Sequence, residues 1–258
     1  MKSLSRLLML ALFCLTAIAG FGQTRLMPAN SQSSSAQSQG RPQSESKRES
    51  KLDSGAATRT ISQDPDELTP DQLIEKAWVA ENSGYYSDAA AYYLKAAEKG
   101  HMVAQFSLGY LHENGRGVEQ NYTTAAEWYL KSAEQGHAEA QFNLGVLYAD
   151  GLGVEQSYLK AAQWFEKAAE LGYVKAQYNL GWLYQNGYGD ELPQDYLKAA
   201  QWYLKAAEQG HAKAQNNLGY LYYNGDGVDR DREEARKWWT KAAEQGIADA
   251  RENLKLLN

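Results

Sequence analysis

Few residues in this chain have types and spacings suited to chemistry, and each such group lacks something its chemistry needs. Ser157-Tyr158-Leu159-Lys160 and Ser44-Glu45-Ser46-Lys47 match the S-x-x-K spacing that places a lysine beside a serine nucleophile. A serine enzyme of that kind also needs S-D-N and K-T-G elements, and neither occurs. Ser157 stands just before a helical pattern, where serine is a favoured cap, and Ser44 lies in a polar stretch with no preorganised partner. His101, His137 and His211 resemble a ligand set, but they occupy one position in different units of a repeat. Packed helices lie ~8–10 Å apart, whereas zinc ligands each sit ~2 Å from one ion, so the three cannot converge. His112 stands alone. Asp229, Asp231 and Glu233 alternate like a calcium loop, but Glu234 stands where such a loop requires glycine. Gly115-Arg116-Gly117 imitates a phosphate loop, yet a helical pattern precedes it where that motif needs a strand. Asn121-Tyr122-Thr123 is a glycosylation sequon that reads better as a helix start. No catalytic residue, cofactor or metal site is expected.

Composition narrows the partners. Among 258 residues, 26 are Lys or Arg and 32 are Asp or Glu, a net charge of −6. Binding to nucleic acid, which needs a basic surface, is disfavoured. The single cysteine, Cys14, rules out a disulfide framework and a cysteine-rich zinc site. Lys2 and Arg6, the apolar run from Leu7 to Ala19 and the small residues Ala17 and Ala19 have the form of a cleavable export signal over residues 1–22. That run is short for a membrane span, so no span is expected in the mature chain. Residues 23–64 are dominated by Ser, Gln and charged side chains. Such a segment buries too little apolar surface to fold and reads as a disordered linker.

The rest is a repeat. Gly100, Gly136, Gly172, Gly210 and Gly246 close the same phrase at spacings of 36, 36, 38 and 36 residues. A constant period in this range marks a helical-repeat solenoid, so the expected fold is all-α. Within each unit Ala104, Leu108 and Leu111, and their copies, lie on one face of a first helix. That helix carries an internal glycine (Gly109, Gly145, Gly181, Gly219), which costs ~1 kcal/mol relative to alanine. Four such glycines predict close approach of the paired helix. Asn-Gly or Asp-Gly then ends it, since glycine accepts the left-handed conformation past a helix end. The second helix carries Trp128, Trp164, Trp202 and Trp238 in one column, predicted to lie in the core, and closes on Lys-Ala-Ala-Glu or a variant. Pairs are expected at about 71–100, 101–136, 137–172, 173–210 and 211–246, with a capping helix over 247–258, so that the solenoid spans 65–258. Two extra residues enlarge the third loop at Tyr188–Gln194, and Arg232 replaces a tyrosine in the last full unit.

The phrase A-x-A-Q-x-x-L-G-x-L-Y-x-x-G-x-G-V followed by Y-x-x-A-x-x-W-Y-x-K-A-A-E-x-G, nearly complete over 138–172, resembles the Sel1-like repeat family. The resemblance covers 101–258, and 71–100 more weakly. It implies an α/α superhelix of tetratricopeptide-like pairs that acts as an adaptor in protein complexes, in bacterial secreted members often in envelope signalling or host contact. Sel1-like proteins described as β-lactamases resemble a subgroup with a disulfide in each unit, and this chain lacks those cysteines.

A solenoid offers an extended concave face, which first-helix residues away from the 104, 108, 111 stripe should line. Asn143, Asn179 and Asn217 form one column there, each amide able to donate and accept to an extended peptide. Lys175 with Asn179, and Lys213 with Asn217, are i,i+4 pairs suited to a carboxylate, and Trp182 and Tyr220 add rigid aromatic area. The expectation is a monomeric, non-catalytic binder of a protein or peptide, periplasmic or secreted, acting as an adaptor or scaffold. Hydrolysis of cell-wall or β-lactam substrates, and a secreted host-interaction role, are the alternatives.

Overall fold

The computed structural model describes residues 67–257, and the signal and linker readings fall outside them. Eleven helices follow one another: α1 (Pro70–Asn82), α2 (Tyr86–Glu98), α3 (Met102–Asn114), α4 (Tyr122–Glu134), α5 (Ala138–Asp150), α6 (Tyr158–Glu170), α7 (Val174–Asn186), α8 (Tyr196–Glu208), α9 (Ala212–Asn224), α10 (Arg232–Glu244) and α11 (Ala248–Lys255). Each packs chiefly on its neighbours in the chain, so the unit is a stack of five antiparallel pairs closed by α11. The described residues contain no strand, only an isolated bridge between Tyr188 and Leu192 in the enlarged loop.

Local chemistry sets the helix ends. Side chains of Asn121, Ser157, Asp195 and Asp231 accept from backbone N–H groups at the starts of α4, α6, α8 and α10. Ser157, the serine of the S-x-x-K match, receives the N–H of Lys160 itself at 3.2 Å. Asp231, from the calcium-like run, likewise caps α10 through Glu233 and Glu234. α3, α5 and α9 start on His101, His137 and His211, whose Nδ1 accepts from Ala104, Ala140 and Ala214. These imidazoles are caps in separate units, and no group of metal-binding side chains forms among the described residues. α3, α5 and α9 stop on Gly115, Gly151 and Gly225 in the left-handed conformation, while Gly187 departs from it as the enlarged loop begins.

Apolar burial follows the predicted stripe: Ala104, Leu108 and Leu111 and their copies are buried. The mid-helix glycines lie against rings of the paired helix. A Cβ on Gly181 would approach the Tyr203 ring to 2.7 Å, and one on Gly109, Gly145 or Gly219 would meet Tyr129, Phe165 or Trp239 similarly. Trp202 and Trp238 are in the core as expected, but Trp128 and Trp164 are half-buried. All four carry a lysine ammonium over the ring, at 3.8–4.5 Å for Lys131, Lys167, Lys205 and Lys241.

Buried glutamines stitch unit to unit. Gln105, Gln141, Gln177 and Gln215 each donate to a carbonyl near the end of the preceding helix (Ala97, Ala133, Ala169, Ala207). Three of their carbonyl oxygens accept from Gln135, Gln209 and Gln245. The fourth, Gln141 Oε1, is buried without a partner because the matching position holds Leu171. The substituted Arg232 has a local reason too. It reaches the Leu256 carbonyl, and Arg236 reaches that of Leu257, so α10 holds the end of the capping segment.

Candidate functional site

The face of interest is built from α3, α5, α7 and α9. The second residue of each helix is Val103, Glu139, Lys175 or Lys213, followed four positions on by Ser107, Asn143, Asn179 or Asn217. Lys175, Trp182, Lys213, Asn143 and Asn217 are half-buried, Tyr220 is exposed and Asn179 is buried, at 6% exposure.

The asparagine column is not a uniform ladder, because two of its three amides are already used inside the fold. The Tyr129 hydroxyl donates to Glu113 at 2.6 Å, and the amide of Asn143 lies within reach of the same hydroxyl. The Tyr203 hydroxyl donates to Gln185 at 2.6 Å and accepts from Asn217 Nδ2 at 3.0 Å. Each is a carboxylate or amide, a phenol and an asparagine drawn from three successive helices. Burial pushes both phenols well above their usual titration range. Between them the pattern breaks in a matched way. Phe165 replaces the tyrosine and Ala149 replaces its acceptor, so Asn179 has no hydroxyl to meet and makes no hydrogen bond through its side chain among the described residues.

Aromatic rings support this face. Phe106, Phe142 and Tyr178 each lie between a ring of the paired helix and the residue starting the next unit, giving Phe106–His137 at 4.6 Å, Phe142–Tyr173 at 5.2 Å and Tyr178–His211 at 4.6 Å. Burial holds the His137 imidazole below its usual value, and burial with Lys213 and Lys175 brings His211 to about 4. Both are therefore neutral caps at neutral pH. Burial raises the Glu139 carboxyl, opposed by Lys175 and by a hydrogen bond from Tyr173. Neither Lys175 nor Lys213 has a carboxylate within ion-pair distance among the described residues.

The enlarged loop adds a feature that pattern-reading missed. Tyr188 stacks on Tyr158 at 3.6 Å and meets Trp182 at 6.0 Å, so Trp182 is partly consumed by an aromatic cluster. The corresponding Arg116 spans Tyr86 and Tyr110 instead. Column comparison pairs Arg116 with Tyr188, and that signal could have revealed the contact. The structure sorts the residues of this face: Lys175, Asn179, Lys213 and Tyr220 are not engaged in hydrogen bonds or ion pairs among the described residues, while Asn143 and Asn217 serve the packing.

A stacked array of helix pairs with such a face defines an α/α repeat solenoid. The Sel1 repeat model matches residues 86–101, 103–137, 138–173, 174–211 and 212–247, and the chain belongs to the Sel1 repeat family. A solved Sel1 repeat protein from Oxalobacter formigenes is similar at 36% identity and a TM-score of 0.64, over 69% of this chain and 72% of that one. A second similar structure, YrrB, described as a TPR protein with an unusual peptide-binding site, shares the fold at 22% identity and a TM-score of 0.50, over 76% of this chain and 96% of that one. No curated protein matches the sequence. Repeats of this class are commonly interaction scaffolds that bind proteins or peptides and are generally non-catalytic. No described helix is long and apolar enough to cross a membrane.

Proposed function

We propose that this chain is a non-catalytic adaptor or scaffold of the cell envelope or secreted space, and that it holds a protein or peptide on the face formed by α3, α5, α7 and α9. The observation that carries this reading is the run Lys175, Asn179, Lys213 and Tyr220. It places on α7 and α9 two cations without ion-pair partners and an amide without a hydrogen bond among the described residues, and an exposed ring. An export signal over residues 1–22 and a polar tether over 23–64 support placement outside the cytoplasm. Hydrolysis is disfavoured because the Ser157 hydroxyl accepts the cap hydrogen bond of α6 and the sequence carries no S-D-N or K-T-G element to go with it.

The test pans a displayed random-peptide library on the full-length chain and measures the selected peptides against Lys213→Ala and Tyr220→Ala. Tyr220 is 46% exposed, so its truncation opens no core cavity. Binding weakened in both variants with unchanged helicity is the expected result. Selected peptides that bind both variants like the parent would refute this face.

A further inference from the structure

The turn that closes α3, α5, α7 and α9 carries Arg116, Leu152, Tyr188 and Asp226 at one equivalent position. After α3 the guanidinium of Arg116 lies over two rings, Tyr86 at the start of α2 at 5.6 Å and Tyr110 near the end of α3 at 5.8 Å. The turn after α9 has the same backbone. Gly225 and Gly227 are left-handed, as Gly115 and Gly117 are. The N–H of Asp226 donates to the Leu221 carbonyl as that of Arg116 does to Leu111. Gly227 abuts the backbone of Tyr196 as Gly117 abuts that of Tyr86. Both rings are kept too, as Tyr196 and Tyr220. What differs is the side chain between them: a carboxylate stands where the second unit has its own cation.

That carboxylate is positioned by the fold without being neutralised by it. Asn114 and Asn186 donate to the carbonyls of Tyr110 and Trp182, one turn back in their helices. Asn224 turns the other way and donates to Asp226 Oδ2 at 3.1 Å. No cation among the described residues lies within ion-pair distance of Asp226. Arg230, four residues on, is engaged with Tyr223, through its carbonyl at 2.9 Å and over its ring at 5.6 Å. A carboxylate at the negative end of a helix is unfavourable by itself, and so is one beside the negative faces of two rings. The same arrangement attracts a cation from three directions. Tyr220 is exposed and Tyr196 half-buried, so the place is open to a ligand.

We propose that Tyr196, Tyr220 and Asp226 receive an arginine side chain of the bound polypeptide. Its guanidinium lies over the two rings, as Arg116 does after α3, and pairs with the Asp226 carboxylate. This rests on the face assigned above, to which Tyr220 belongs, and it fixes the ligand's register at the end of α9. A free guanidinium shares the chemistry, and the assay separates the two sources.

The test uses the full-length chain and an array of N-acetylated, C-amidated random dodecapeptides. In each bound peptide every arginine is replaced in turn by citrulline, which keeps the shape and loses the charge, and by lysine. Agmatine serves as the free guanidinium. Asp226→Arg supplies the occupant seen after α3, and Asp226→Asn removes the charge with the smallest change of shape. One arginine should be required, with citrulline there weakening binding at least about fivefold. Both variants should weaken the arginine peptide similarly, and the citrulline peptide should bind the parent and Asp226→Asn alike. Asp226→Asn gives the readout if Asp226→Arg does not fold. Equal binding of arginine and citrulline peptides, lysine binding as tightly as arginine, agmatine competing as well as the peptide, or unchanged binding to the variants overturns the proposal. Loss on Lys213→Ala without loss on either Asp226 variant leaves the face standing and sinks only the arginine site. Binding unchanged in every variant, or no binding by any peptide, sinks both.

Discussion

Leu171 is 59% exposed, yet it occupies the position from which Gln135, Gln209 and Gln245 reach a buried glutamine oxygen. The result is an apolar side chain in water and an orphaned acceptor, Gln141 Oε1, beneath it. Leu171→Gln should complete the fourth link and raise stability by about 0.5–1.5 kcal/mol, seen as a higher melting temperature. The reverse change, Gln135→Leu, should lower it. These details also mark the limit of what the sequence discloses. The columns of Ala, Leu, Gly and Gln were legible because they recur, and the caps at Asn121 and Ser157 were legible because such side chains favour helix starts. That Asn143 and Asn217 are occupied was not legible, since Tyr129 and Glu113 are 16 residues apart and meet only after the helices pair. The simultaneous loss of Tyr and its acceptor at Phe165 and Ala149 was visible in the same columns, but its meaning needed the contact.

At the scale of the helix, the glycines and the histidine caps make separate predictions. Gly181→Ala regains about 1 kcal/mol of helix propensity but drives a methyl against the Tyr203 ring, with overpacking of roughly 1–3 kcal/mol. Net destabilisation on denaturant titration is the expected outcome. The His211 cap accepts a backbone hydrogen bond through Nδ1 and must be neutral to do so. Its folded value, about 4, lies below the unfolded value of 6.5. The unfolded chain therefore binds the proton more readily, and the stability contributed by this cap is full above 6.5 and falls as pH drops toward 4. Glu139, raised by burial, has the opposite sign and partly masks the effect. Comparison with His211→Asn, which keeps a capping acceptor without a titrating ring, isolates it. The parent should lose more stability than the variant between pH 7 and 4.5, and parallel losses would count against the neutral cap.

For the stack as a whole, stability rests on nearest neighbours, so the ends matter. α11 places Ala250 and Leu257 on Ala235, Trp239 and Ala242, and the two arginines of α10 hold its last carbonyls. A chain ending at Gly246 should expose Trp239 and melt first in its last pair, which hydrogen exchange of α9 and α10 would report. Such an array also presents one long face assembled from equivalent positions, and its local departures are where a ligand can find register. The most direct test of the central claim is hydrogen exchange on the full-length chain with and without a selected peptide. Protection concentrated in α5, α7 and α9 is predicted, whereas protection confined to α4, α6, α8 and α10 would contradict the account.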